Sequence, residues 1–172
     1  MLDVGDDAPD VTAPLATPEA AATTDRGSYT AADVSEFDLG AALDGGPVVL
    51  AFYPGVYSRT CTEELCDLRD WKADLSDLDA QVYGVSVDSP WSLLAFVDEY
   101  DLQYPLVSGF NNHVIRDFGV RWPDGPLAGI ATRAVFVVDP DGTVSYTWAA
   151  GEDERFPDTE AIEAAIADAS AE

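Results

Sequence analysis

The chain is 172 residues long and carries 33 acidic against 8 basic side chains, a formal net charge of −25. Nucleic acid and anionic membrane surfaces recruit clustered Lys and Arg, so this balance excludes both as partners. A hydrophobic content of 47%, with four Trp, excludes an unfolded polyanion and predicts one domain over residues 1–172 with a substantial core.

The acid excess fits a halophilic source, because at molar salt the Debye length shrinks to about 3 Å and the self-repulsion is screened. No apolar run approaches a membrane span, and Met1-Leu2-Asp3 lacks the basic and apolar regions of a signal peptide. A cytoplasmic location is expected. Two cysteines, Cys61 and Cys66, are too few for a secreted disulfide framework, and in the cytosol such a pair reads as catalytic or redox-active.

In chain order, residues 15–33 are rich in Ala, Thr, Asp and Ser and read as a surface excursion or short hairpin. Asp38-Leu39-Gly40 through Gly45-Gly46-Pro47 reads as a short helix and turn. The apolar run that follows makes 48–54 a buried strand. A helix is predicted from Cys61 to Leu78, with Leu65, Leu68, Trp71, Leu75 and Leu78 at helical spacing. Residues 81–87 alternate like a strand, and Ser89-Pro90 opens a helix carrying Leu93, Leu94, Phe96 and Val97. Tyr104 to Val107 is a short strand and Asn111 to Phe118 a short helix. Ala134 to Val138 and Val144 to Trp148 form a hairpin about the turn Asp139-Pro140-Asp141-Gly142. Asp158 caps a last amphipathic helix through Ala167. Strands alternating with helices, then a hairpin and a closing helix, predict an α/β sheet with helices on both faces.

The stretch from Phe52 to Cys66 carries the chemistry. Cys61 lies where the strand passes through a loop into a helix, and there it meets unpaired amide N–H groups and the positive end of a helix dipole. Both favour the thiolate, the form of cysteine that reacts. The alternative is a buried cysteine acting as a small hydrophobe. On an intact helix Cys66 lies about 7.5 Å along the axis and roughly 140° around from Cys61, whereas a disulfide wants Cα atoms about 5.5 Å apart. The pair can bond only if the first turn unwinds.

Pro54, Ser58 and Cys61 spell P-x-x-x-[ST]-x-x-C, which resembles the signature of peroxiredoxins, thiol peroxidases built on a thioredoxin-like fold. Residues 4–10, Val-Gly-Asp-Asp-Ala-Pro-Asp, resemble that family's opening G-x-x-A-P-[DE]. The resemblance covers nearly the whole chain and is weakest over 15–35. It implies an α/β thioredoxin-like fold, a central mixed β-sheet flanked by helices.

The resemblance also implies roles. Cys61 would be the peroxidatic nucleophile, Ser58 would offer its hydroxyl to sulfur and peroxide, and Pro54 would shield the site from water. The family usually has Thr at position 58; Ser keeps the hydroxyl but loses the methyl that fixes its rotamer. Arg133, just before the strand at 134, matches the family's active-site arginine, which would hold the thiolate and polarise the O–O bond. Glu64 also matches a family position and either orients Arg133 or is a helix-surface carboxylate. The C-x₄-C spacing resembles bacterioferritin-comigratory and plant Q-type members, in which the second cysteine resolves the first; Cys66 is read in that role, or else as packing in a one-Cys enzyme. The implied partners are a peroxide substrate and a thioredoxin-like or small-thiol reductant. No metal or organic cofactor is implied, and the assembly is open up to a homodimer.

Competing classes fit less well. A thiol-disulfide oxidoreductase would show C-x-x-C, and a copper metallochaperone on the same fold C-x₃-C with a well-placed His. A redox-inactive module would not need Pro54, Ser58, Cys61 and Arg133 together. His113, the one histidine, reads as a surface or cap residue, and two Cys with one distant His are too few for a closed zinc site. Trp71, Trp91, Trp122 and Trp148 read as core or half-buried positions. Arg59 and Arg69 lie near Cys61 in sequence, and Arg155 lies in an acidic loop far from it.

The charge makes one prediction directly. Thermal midpoints should rise from dilute buffer to molar NaCl or KCl as screening relieves carboxylate repulsion. Midpoints that stay flat across that range would contradict a halophilic origin.

Overall fold

The computed structural model describes residues 1–75 and 79–171. Seven strands form one mixed sheet: β1 (Thr12–Ala16), β2 (Ser35–Asp38), β3 (Val48–Phe52), β4 (Gln81–Ser86), β5 (Leu106–Ser108), β6 (Ala134–Val138) and β7 (Val144–Ala149). Their spatial order is β2-β1-β5-β4-β3-β6-β7. The central pairs β3·β4 and β4·β5 are parallel, and the remaining pairs are antiparallel. The helices are α1 (Pro18–Thr23), α2 (Leu39–Leu43), α3 (Arg59–Asp74), α4 (Pro90–Glu99), α5 (Val114–Asp117) and α6 (Thr159–Ser170). A mixed sheet flanked by helices is the architecture that the sequence predicts.

Alternation along β3 builds two cores. Val49 and Ala51 face α1, α3, α4 and α6, meeting Ala21, Leu65, Leu68, Leu93, Phe96 and Ile162. Val48, Leu50 and Phe52 face the opposite side, with Leu39 and Leu43 of α2, Val114 and Ile115 of α5, and Phe118 and Phe136. Every residue of β3 and β6 is buried, as expected for strands covered on both faces. Gly84 on β4 lets the packing close around the site: a Cβ there would lie 2.6 Å from Leu106 Cδ2 and 3.2 Å from the Tyr53 ring.

Several expectations need correction. The stretch 15–33, expected as a surface excursion or short hairpin, is a largely exposed connection that holds a helix rather than a short hairpin. β1 pairs antiparallel with β2 (Leu15↔Ser35), and the connection contains α1, capped by the Thr17 hydroxyl, which accepts from Ala20 N–H, with Pro at its start. Its buried face is a single Ala, too small to register as a hydrophobic stripe. The helix predicted over 61–78 begins two residues earlier, at Arg59, and ends at Asp74 with Leu75 as its C-cap; Leu78 lies outside the described residues. Trp91 is exposed on α4, its indole N–H donating to Thr30 O, whereas Trp71, Trp122 and Trp148 are half-buried. His113 stands at the N-cap position of α5 and makes no side-chain cap.

Candidate active site

Three segments distant in sequence meet at one end of the sheet because of strand pairing. β3 ends at Phe52, and the chain passes through Tyr53 to Ser58 into α3, so the helix starts above the carboxyl ends of the parallel strands. β6 runs antiparallel to β3 with Ala134 opposite Phe52, which puts Arg133 at that same end. β7 pairs Ala149 with Ala134, so the loop after β7 returns there too, and Ala150 N–H donates to Arg133 O at 3.0 Å.

Ser58 is the N-cap of α3, in extended conformation, and its Oγ accepts the Cys61 N–H at 3.2 Å. Its carbonyl accepts both the N–H and the hydroxyl of Thr62. Cys61 is therefore the third residue of the helix, inside the turn whose amides lack intrahelical acceptors. The loop before it is anchored by Val56 N–H donating to Asp88 Oδ2 at 2.9 Å, and Asp88 in turn accepts from the Ser86 hydroxyl at 2.6 Å. Pro54 is half-buried in this loop, and Tyr57 takes a positive φ of 68°.

Cys61 is fully buried, and the Arg133 guanidinium reaches it: Nη2 donates to Sγ at 3.2 Å. Nε of the same guanidinium donates to Glu64 Oε2 at 2.7 Å. Glu64 lies one turn along from Cys61, and with Leu65 and Leu68 both make the buried face of α3. Glu64 is thus an inward carboxyl orienting Arg133, and the surface-carboxylate alternative is set aside. Burial pushes the Glu64 carboxyl up to about 8, against the opposing pull of Arg133. Burial works against the Arg133 charge as well, but Glu64 and the Cys61 sulfur outweigh it and raise its pKa. Glu64 Oε1 and the Tyr53 hydroxyl are buried with no hydrogen-bond partner among the described residues.

Cys66 stands apart from this constellation. It is half-buried beyond the buried face of α3, both cysteines are free thiols, and α3 is continuous between them. Burial raises the Cys66 thiol pKa, with Arg69 opposing. Arg69 itself donates to Tyr100 O at 2.6 Å, and Arg59 is an exposed partner of Glu63, so neither contacts the sulfur of Cys61. Arg155, remote in sequence, lines a concavity together with Arg133 and pairs with Asp67 at 2.9 Å and Glu63 at 3.5 Å. Sequence alone hides that placement, which follows from the β6·β7 register. Among the described residues no group of His, Cys, Asp and Glu side chains is disposed to hold a metal ion, and no helix is long and apolar enough to cross a membrane.

A cysteine capped into a helix start and faced by a guanidinium thus stands at one end of a mixed sheet flanked by helices. The chain belongs to the AhpC/TSA family, which matches residues 4–147. A putative peroxiredoxin of Synechocystis is 31% identical over 153 residues, covering 85% of this chain and 68% of that protein. A chloroplastic peroxiredoxin Q of Gentiana triflora is 37% identical over 104 residues, covering 60% of this chain and 47% of its own length. The chain spans about half the length of most of the curated relatives it matches. Among solved structures, peroxidoxin BcpB of Mycobacterium tuberculosis superimposes with a TM-score of 0.73 at 26% identity, covering 99% of this chain and 98% of that one. AhpC of the same organism shares the fold, with a TM-score of 0.78 at 21% identity over 97% of this chain and 92% of that one.

The buried carboxyl sets a pH dependence. Between the unfolded value of 4.5 and the folded value of about 8, the folded chain holds a Glu64 proton that the unfolded chain has released. Stability from this group is therefore complete below pH ~4.5 and declines as pH rises through about 8, by on the order of a few kcal/mol. Glu64→Gln should lose that slope: chemical melts from pH 5 to 9 in molar salt should show wild type falling relative to the variant. Parallel curves would contradict a carboxyl held protonated by burial.

Proposed function

We propose that this chain is a thiol-dependent peroxidase that reduces hydrogen peroxide or organic hydroperoxides through Cys61. The observation that carries the reading is the Arg133 guanidinium, 3.2 Å from Cys61 Sγ through Nη2 and tied to Glu64 through Nε. Family membership and the peroxiredoxin names of the relatives support it.

In the proposed cycle, the Cys61 thiolate attacks one peroxide oxygen along the O–O axis. The S–O bond forms as the O–O bond breaks, and its electron pair leaves on the second oxygen, which takes a proton to depart as water or alcohol. Arg133 stabilises the charge as it moves from sulfur to the leaving oxygen. The Ser58 oxygen already accepts the Cys61 N–H, leaving its own hydrogen to donate toward the peroxide. Pro54, half-buried in the loop before α3, would limit water at the sulfur. The product is Cys61 sulfenic acid.

Cys66 is proposed as the resolving thiol. Its sulfur would displace hydroxide from the sulfenic acid, releasing water and leaving a Cys61–Cys66 disulfide. A thioredoxin-like dithiol, or two small thiols, would then reduce that disulfide and become oxidised in turn. Since α3 is intact across both residues, this step requires the turn between them to unwind, exposing Leu65. Both cysteines lie on one chain, so the cycle is complete within a protomer and equally within a homodimer. The reductants named belong to a reducing compartment such as the cytoplasm. A thiol-disulfide oxidoreductase is the less favoured reading, because it would carry C-x-x-C where this chain has C-x₄-C.

Mass spectrometry after one equivalent of peroxide separates the roles. Wild type should lose two hydrogens, Cys66→Ser should carry sulfenic or sulfinic acid on Cys61, and Cys61→Ser should consume no peroxide. Full turnover in Cys61→Ser would overturn the peroxidase reading; identical oxidised species in wild type and Cys66→Ser would make Cys66 a packing residue.

A further inference from the structure

Arg133, which touches the Cys61 sulfur, also lines a surface concavity whose charge the proposed chemistry does not use. Glu63 on α3, Arg133, and Glu152, Asp153, Glu154 and Arg155 of the loop after β7 line a concavity of about 370 Å³. A guanidinium in such a concavity would ordinarily draw anions in. Here both cations are already engaged. Arg133 is bound to Glu64 and Cys61, with its side chain only 16% exposed, and Arg155 is bound to Asp67 and Glu63. Glu154 folds the loop by accepting Gly151 N–H at 3.1 Å. Glu152 and Asp153 are exposed, and among the described residues no cation lies within ion-pair distance of either. Four carboxylates against two arginines give this opening an excess of negative charge.

We propose that this acidic lip makes the site selective by charge: neutral hydroperoxides reach Cys61, and hydroperoxides bearing a carboxylate or phosphate are held back. The substrate half of this inference rests on the peroxidase reading. The barrier itself concerns access to the Cys61 sulfur and is measurable without any peroxide. It should be strong in dilute buffer, where the Debye length is about 30 Å at 0.01 M, and should collapse near 1 M, where it is about 3 Å.

The test compares modification of Cys61 by neutral iodoacetamide and by anionic iodoacetate, read on the Cys61 peptide by mass spectrometry across salt. Circular dichroism restricts the comparison to conditions in which the chain is folded. The amide-to-acetate rate ratio should fall about tenfold from the lowest such salt to about 1 M, within the range of electrostatic steering. At low salt, Glu152→Gln with Asp153→Asn should lower the ratio several-fold. Asp7→Asn with Asp10→Asn, exposed and far from the Cys61 site, removes the same charge and should leave the ratio unchanged. A ratio flat in salt, an equal shift from both double variants, or no modification of Cys61 by either reagent would each overturn the lip. A second arm compares an alkyl hydroperoxide with its ω-carboxylate analogue. If the alkylation ratios behave as stated and neither peroxide oxidises Cys61, the peroxidase reading fails and the lip stands.

Discussion

Arg133, held between Glu64 and Cys61, is the interaction on which the rest of this site depends. A guanidinium with one edge on a buried carboxyl cannot swing away to water, so its other edge stays 3.2 Å from the sulfur. Removing one partner leaves the other's buried polar atoms without a hydrogen bond, at a cost of about 1–3 kcal/mol. The fold accepts a fully buried Glu on the face of α3 that otherwise carries only Cys61, Leu65 and Leu68. Its cost is visible in the carboxyl, which burial pushes up to about 8. A tether of this kind keeps positive charge near the sulfur, the preorganisation that the proposed peroxidase step would use.

The sheet makes that tether possible. Arg133 and Glu64 are 69 positions apart, and Arg133 and Cys61 are 72 apart. Antiparallel pairing of β6 on β3 converts that separation into contact, since the start of one strand lies beside the end of the other. Pairing of β7 on β6 repeats the operation and brings the acidic loop beside Arg133. The acidic loop and the guanidinium beside the Cys61 sulfur are thus placed by the same strand registers. A slip of one residue in β6 would turn its side chains to the opposite faces of the sheet and break the site.

Much of this was legible in the sequence, for reasons that differ from residue to residue. Cys61, Ser58 and Pro54 lie within eight positions, where a strand-loop-helix transition can be read locally and a signature recognised. Arg133 stood out because a cation at the start of an apolar strand is conspicuous in a chain with 8 basic residues. Glu64 was ambiguous because its neighbours in sequence include Glu63, Asp67 and Asp70; only the helix phase relative to the core shows that it points inward. The placement of Arg155 depends on a strand register that no local pattern encodes. The helix α1 escapes because alanines bury a face without a large apolar signal, and α3 stops short of the prediction because an apolar pattern overstates a helix that ends at Asp74.

The central claim is that Arg133 acts on the charge developing between sulfur and leaving oxygen, beyond any part it plays in packing. The most direct measurement is the second-order rate constant of Cys61 oxidation by hydrogen peroxide in Arg133→Gln and in Arg116→Gln, both shown folded by circular dichroism. Arg116 is an exposed α5 residue paired with Asp117 and serves as the control. The account predicts a fall of about a hundredfold or more for Arg133→Gln, the scale of losing one preorganised donor, and no more than about a twofold change for Arg116→Gln. Equal, mild effects in the two variants would contradict it.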